Sequence, residues 1–453
     1  MKKDKLLRNR ESAWNKDTKI VFKFANDYMD FLANSKTERA ATRTIVATLE
    51  KKGFKDIEKT NSLKSGDKVY FNNRGKSVLA AVIGKEKESF NLVGAHIDSP
   101  RLDLKPNPLH EMSSIALMKT HYYGGVKKYQ WLNVDLALYG VIYTKDGKKI
   151  ELNLGEKADE PRFIMSDLLP HLAKKQMEKR GDEIVDGEQL MIFLGNIPVD
   201  DKDTKEKVKL NVLKILNERY GVDEEDFAFA ELNFVPAGRP REIGFDKSMI
   251  AGYGHDDKSC SYATLMALLD ANNPEKTAIG FWSDKEEIGS YGNTGAQSYV
   301  IHDFCEMLIE RLNLKISVKR MLKNSKTISA DVSAAMDPSF QEVHEERNAA
   351  IMGYGVVIEK YTGSGGKYSA NDTHAEYMNE IRKLLVKNKI AYQACEIGKV
   401  DAGGGGTIAL YLSRFGMDTI DIGPAVLGMH SPREVISKVD LYEAYRLYSA
   451  FLR

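Results

Sequence analysis

Apolar residues recur every three to four positions between residues 17 and 52 (Phe22, Phe24, Ala25, Tyr28, Phe31, Leu32), which predicts helix there. The pattern then shortens into apolar runs bounded by turn residues. VYFNNRGKSVLAAVIG predicts a hairpin turned at Asn73-Arg74-Gly75, and SFNLVGAHIDSP a strand buried as far as His96. Beyond Pro100, LDLKPNPLHEM carries turn and proline signals. A strand-rich region follows, with a hairpin turn at Asp146-Gly147, then a helix over KEKVKLNVLKILNERYG and a strand over FAFAELNFVPAG. From Asp246 helices and strands alternate: KSCSYATLMALLDANN, TAIGFWSD, SYVIHDFCEMLIERLN, KTISADVS, THAEYMNEIRKLLVKN and AYQACEI. A last helix is predicted to begin at SPRE, with Ser431 as N-cap, Pro432 in the first turn and Glu434 completing a capping box. The rhythm describes one α/β domain, residues 1–103 and 246–453, split by a strand-rich insert over 104–245. Tyr122, Tyr123 and Trp131 read as exposed aromatics of that insert.

Composition narrows the function classes. The 453 residues are 42% hydrophobic and 29% charged, as in a soluble globular chain, and the net charge of +1 favours neither nucleic acid nor an anionic membrane. No apolar run approaches a membrane span of roughly 18 residues. The start, MKKDKLLRNRESAWNKD, is positive but lacks the apolar core of a secretory signal. Three widely spaced cysteines, Cys260, Cys305 and Cys395, predict a reducing cytoplasm and no disulfide framework.

Candidate chemistry lies where strands end. In FWSDKEEIGSYGNTGAQ, an apolar strand runs into the pair Glu286-Glu287 and a glycine-rich turn. An arbitrary pair of glutamates is usually a solvated charge run, but open α/β sheets bind ligands at the carboxyl ends of their strands. His96 and Asp98 end another strand, where the aspartate can orient the imidazole of a metal ligand. Asp256 in GYGHDDKSC, Asp331 after KTISA and His430 in GMHSPRE stand at further ends; each alone reads as a helix cap or a surface residue. Together they form a mixed nitrogen and oxygen set that suits zinc, cobalt or manganese. Five ligands exceed what one catalytic zinc with an open position needs. They suit two metals about 3.5–4 Å apart, leaving one glutamate free as a base.

The segments GAHIDSPRLDLKPNP, DDKSCSYATL, SDKEEIGS, SADVSAAMDP and DIGPAVLGMHSPRE resemble, in order, the motifs of the aspartyl aminopeptidase family, which includes vacuolar aminopeptidase I. The likeness spans nearly the whole chain, insert included. It implies a zinc-peptidase-like domain, a mixed sheet flanked by helices, with an inserted dimerisation domain. It implies two Zn2+ ions per subunit, with Co2+ or Mn2+ as substitutes. Asp256 would bridge the two, His96 and Asp331 would complete one site, and Glu287 and His430 the other. Asp98 would orient His96, and Glu286 would be the general base acting on a metal-activated bridging water. The reaction implied is removal of the N-terminal residue of short peptides, with acidic residues the family preference and a broad or neutral preference open beside it. The assembly implied is a tetrahedral dodecamer of dimers. His171, in PHLA, resembles a histidine that reaches a neighbour's active site, and Lys367 and Tyr368, in KYSAN, resemble a substrate-contacting loop. The Asp256 loop departs from the commoner pattern: it is one residue shorter and has His255 where leucine is usual. The glycines at 403–406 and the TGSGG stretch also differ.

Two other readings stay open at this point. A deacylase or carboxypeptidase would use the same metals; the latter needs an arginine or lysine for the substrate carboxylate, for which Arg101, Lys258, Lys367 and Arg433 are candidates. A scaffold with a dead site would have lost a ligand, and here every ligand position is filled.

Overall fold

The computed structural model describes residues 10–453, so the first nine residues of the positively charged start lie outside the described residues. Two compact units form. One comprises the described residues up to Asp98, Pro240–Met429 and Arg433–Arg453; the other comprises Ser99–Arg239 and His430–Pro432. The strand Arg101–Met112 runs through position 103–104, where the sequence reading began the insert.

The first unit is built on a nine-stranded mixed sheet. Its middle four strands run parallel in the order Lys276–Ser283, Glu86–His96, Lys326–Ser329 and Asp418–Gly423. The hairpin Lys68–Asn73 and Ser77–Val82 joins antiparallel on one side, and Val356–Glu359 on the other. Central strands covered on both faces must be apolar in both registers. Accordingly Leu92 and Phe281 face one core with Phe304 and Leu412. Their chain neighbours Val93 and Trp282 face the other, with Tyr28, Leu265 and Tyr448. A five-stranded sheet adds Arg241–Ile243, Met249–Gly252, Glu434–Ser437, Ala425–Leu427 and Ser333–Ala334.

The second unit holds an antiparallel six-stranded sheet: Lys149–Leu154, Leu136–Tyr143, Glu231–Pro236, Arg101–Met112, Ile115–Tyr123 and Met191–Gly195. Pro106 and Pro108 fall within a register shift between Leu104 and Leu109, the kind of position where a strand tolerates proline. The helix Lys207–Tyr220 ends on Gly221 at φ 73°, a left-handed cap.

Several expectations need correction. The helical region at 17–52 is two helices, Thr18–Asn34 and Glu38–Lys51, because Thr37 caps a new start through the Ala40 N–H. SPRE does not open the last helix. Glu434–Ser437 is a strand between Met249–Gly252 and Ala425–Leu427, and the helix is Lys438–Leu452, with Ser437 as N-cap. The Ser-Pro-x-Glu spacing is the same for a cap and for a strand entry, and only pairing separates them. Of the insert's aromatics, Tyr122 is exposed, but Trp131 is fully buried and Tyr123 lies under the Arg101 guanidinium, 4.1 Å from its ring centre.

Candidate metal centre

Three adjacent parallel strands deliver acids and an imidazole to one edge of the sheet. His96 closes its strand and pairs in register with Ser283; Glu286 and Glu287 follow Ser283 by one short turn, and Asp331 follows Ser329 on the other flank. Asp256 comes from the head of the helix His255–Leu269, whose first turn is not helical at Asp256 and Asp257. Gly254 stands at the N-cap position of that helix.

The ligand-type atoms converge. The His96 Nε2 lies 3.1 Å from Asp256 Oδ1 and 3.9 Å from both Glu286 Oε2 and Asp331 Oδ1. Two groups have every ligand atom within 4.8 Å: His96, Asp256 and Glu287, and His96, Glu286 and Asp331. His96 belongs to both. His430 lies in the other compact unit, where its Nδ1 is 2.7 Å from the Gly125 carbonyl oxygen.

A shell of buried groups fixes these side chains. Asp98, fully buried, accepts from the Glu286 N–H at Oδ1 (3.1 Å) and from the Glu287 N–H at Oδ2 (3.2 Å). The same Oδ1 stands 3.4 Å from His96 Nδ1. One carboxylate thus sets both the imidazole and the glutamate turn. The His96 N–H donates to Asp257 Oδ2 (3.2 Å), and Ser261 Oγ donates to the His96 carbonyl (2.8 Å). Glu434 Oε2 accepts from the Asp256 N–H (3.1 Å). Lys258 is fully buried, with Asp98, Glu287, Glu434 and Glu38 as its charged surroundings. His255 is neutral: burial pushes it down to about 3, while Tyr28 Oη sits 2.7 Å from Nδ1 and the Ile250 carbonyl 3.2 Å from Nε2.

The electrostatics call for a cation. Burial and then the charge of Asp257 push Asp331 well above the usual carboxylate range. Burial alone would lower His96, but hydrogen bonds to Asp256 and Asp98 hold it well above an ordinary histidine. Carboxylates crowded this closely repel unless positive charge stands among them, and an imidazole nitrogen with carboxylate oxygens suits zinc. The donor set therefore fits a divalent metal.

An aminopeptidase I zinc metalloprotease (M18) family model matches residues 31–452. The chain belongs to the M18 family of zinc metalloproteases. A "Probable M18 family aminopeptidase 1" of Clostridium acetobutylicum is 48% identical to it over 461 residues, covering 99% of each chain. The crystal structure of an M18 family aminopeptidase from Thermotoga maritima superposes with a TM-score of 0.96 at 46% identity, over 99% of this chain and 100% of that one. The mApe1 dodecamer of S. cerevisiae shares the fold, with a TM-score of 0.74 at 22% identity over 94% of this chain and 95% of that one. The mixed α/β architecture of this M18 chain is that of the zinc-peptidase-like fold, and its activity class is that of a hydrolytic aminopeptidase.

The remaining sequence candidates lie elsewhere. His171 is exposed in a turn of the second unit, shortly before the four-residue helix Lys174–Met177. Lys367, at φ 64°, is 3.1 Å from Asp372 Oδ2 and lies 3.8 Å from the Tyr361 ring centre; Tyr368 is exposed. Sequence reasoning gave Glu434 a capping job and overlooked its bond to Asp256. Only the pairing of Glu434–Ser437 with Met249–Gly252, which places Glu434 opposite Gly252, could have pointed there.

Proposed function

We propose that this M18 aminopeptidase removes N-terminal residues from short peptides using two zinc ions and Glu286 as general base. The observation that carries the proposal is the convergence of His96, Glu286, Glu287 and Asp331, after the ends of neighbouring strands, with Asp256 from the head of a helix. His96, Asp256, Glu287, Asp331 and His430 would hold the metals, with Asp256 serving both and Co2+ or Mn2+ as substitutes. When bound, such a pair lowers the pKa of water and polarises the scissile carbonyl. Glu286 accepts the proton of the attacking water at its carboxylate and returns it to the leaving amine nitrogen. Asp98 fixes the backbone of both glutamates, so that one peptide step separates a ligand from a base. The substrate's free α-amino group would be held beside this acidic cluster, which restricts cleavage to N-termini.

Assembly belongs to the same proposal: a homo-oligomer, in the form of a tetrahedral dodecamer, with the second unit as dimerisation domain and His171 completing a neighbour's site. All three cysteines are buried, and a reducing, cytoplasmic setting is part of the proposal. No described helix is long and apolar enough to cross a membrane. An acidic N-terminal preference would need Lys367 or His171 as cation, and Lys367 is already engaged by Asp372.

The test is release of a free amino acid by zinc-loaded protein from an unblocked peptide and from its N-acetylated twin. Release from the unblocked peptide alone is expected. Release of acetate from the acetylated twin would support the deacylase reading, and release of the C-terminal residue the carboxypeptidase reading.

A further inference from the structure

Four basic residues stand beside the sequence motifs, and three have ordinary surroundings. Arg101 pairs with Asp103 at 2.7 Å, Lys367 pairs with Asp372 at 3.1 Å, and Arg433 is exposed. Lys258 has no exposed surface at all. Lysine is almost never buried to that degree unless opposite charge surrounds it. It sits near the head of the helix His255–Leu269, between two residues that bolt this helix to the end of the strand Glu86–His96. Asp257 Oδ2 accepts from the His96 N–H, and Ser261 Oγ donates to the His96 carbonyl. The Lys258 Nζ lies 5.9 Å from the centre of the Tyr253 ring.

Four carboxyls surround the ammonium. Burial pulls Lys258 below the ordinary lysine range, and Asp98, then Glu287, Glu434 and Glu38, oppose that pull. They come from four elements. Asp98 follows the strand Glu86–His96, Glu287 lies in the turn after Lys276–Ser283, Glu434 opens the strand Glu434–Ser437, and Glu38 opens the helix Glu38–Lys51. Asp98, Glu434 and Glu38 are each no more than 1% exposed. Glu38 is also paired with Lys76, at 3.4 Å. Asp98 and Glu434 turn their oxygens to the backbone of the metal centre: Asp98 receives the N–H groups of Glu286 and Glu287, and Glu434 that of Asp256.

We infer that Lys258 is a positioning residue for the reaction: its ammonium holds Asp98 and Glu434 in place, and through them the backbones of Glu286, Glu287 and Asp256. The inference rests on the base and ligand assignments proposed above. Metal ions would answer the charge of their own ligands, whereas Asp98 and Glu434 face amide groups and need a cation of the protein's own. A sealed ammonium cannot meet a substrate carboxylate, so Lys258 does not serve the carboxypeptidase reading. Its loss is to be read in turnover rather than in zinc affinity, since deleting a positive charge also makes the centre more attractive to a divalent cation.

The experiment measures kcat and KM of the zinc-saturated full chain on an unblocked peptide. Lys258→Met keeps the length of the side chain and removes its charge. The kcat should fall by roughly 10- to 100-fold, the usual effect of disturbing a ligand's support, with KM little changed. Lys258→Arg, which keeps the charge, should recover most of that loss. In an Asp98→Asn background the charge to be answered is already gone, so Lys258→Met should cost much less there than it does alone. Parent-like kcat in a folded Lys258→Met would overturn the inference, as would a loss that Lys258→Arg does not recover and that is equally large beside Asp98→Asn. Should Lys258→Met not fold, Lys258→Met with Glu38→Gln removes one charge of each sign. Its kcat should lie about tenfold or more below that of Glu38→Gln alone, and equal values would again count against Lys258. No release by the parent protein would overturn the aminopeptidase reading and this inference with it.

Discussion

Glu286 and Glu287, proposed as base and metal ligand, are separated by a single peptide bond; Asp98 pins both amides while their side chains fall in different groups of ligand-type atoms. Glu286→Gln is expected to retain both metals by elemental analysis yet lose roughly 10²–10⁴-fold in kcat, the contribution of a general base. Glu287→Gln should instead lower metal content. Asp98→Asn tests the pin: a single amide can accept only at its oxygen, so one of the two glutamate amides loses its partner. Metal affinity, read by competition with a chromogenic chelator, should fall by about 10–100-fold, the usual effect of disturbing a ligand's support. Unchanged affinity would show that the turn holds itself.

At the scale of elements, the strand Val356–Glu359 carries a pH-dependent strain on stability. Burial pushes the Glu359 carboxyl up to about 8, with Asp421 and Glu396 adding to the rise and the Ser333 hydroxyl opposing it. The folded chain therefore keeps a proton that the unfolded chain releases near the ordinary glutamate value. Between about pH 4.5 and 8 the unfolded state binds fewer protons, so this group's contribution to stability falls as pH rises. Glu359→Gln imitates the protonated acid and should remove that fall. Urea denaturation should find the variant level with the parent near pH 5 and more stable, by up to a few kcal/mol, near pH 8. The strand itself was not among the elements read from the sequence, whereas the longer central strands were legible from their continuous apolar runs. So was the clustering of acids at their ends, because chemistry placed after a buried strand has few places to go. SPRE misled, since a short strand paired on both sides leaves no period-two signal in four residues. The insert's aromatics misled because Trp131 is fully buried and Tyr123 is covered by Arg101 of the adjacent strand, which no local pattern reports.

For the whole molecule, the proposed sharing of sites between subunits makes a prediction that a monomeric enzyme would not. His171→Ala should keep its metals and its sedimentation but lose turnover. Mixing it, after dissociation and reassembly, with Glu286→Gln subunits should restore activity at sites pairing an intact Glu286 with a neighbour's intact His171. No recovery after verified mixing would remove His171 from the mechanism. The two units also invite separate observation, since the chain's three tryptophans are divided between them. Trp131 is sealed in the second unit; Trp282, in the first, donates from Nε1 to the Ser261 carbonyl, and Ser261 in turn donates to the His96 carbonyl. The emission of Trp282 thus reports on the backbone beside His96, and that of Trp131 on the second unit. With Trp14 and one of these two replaced by phenylalanine, the fluorescence of the remaining indole becomes an intrinsic optical gauge, able to tell loosening of the catalytic edge from melting of the insert.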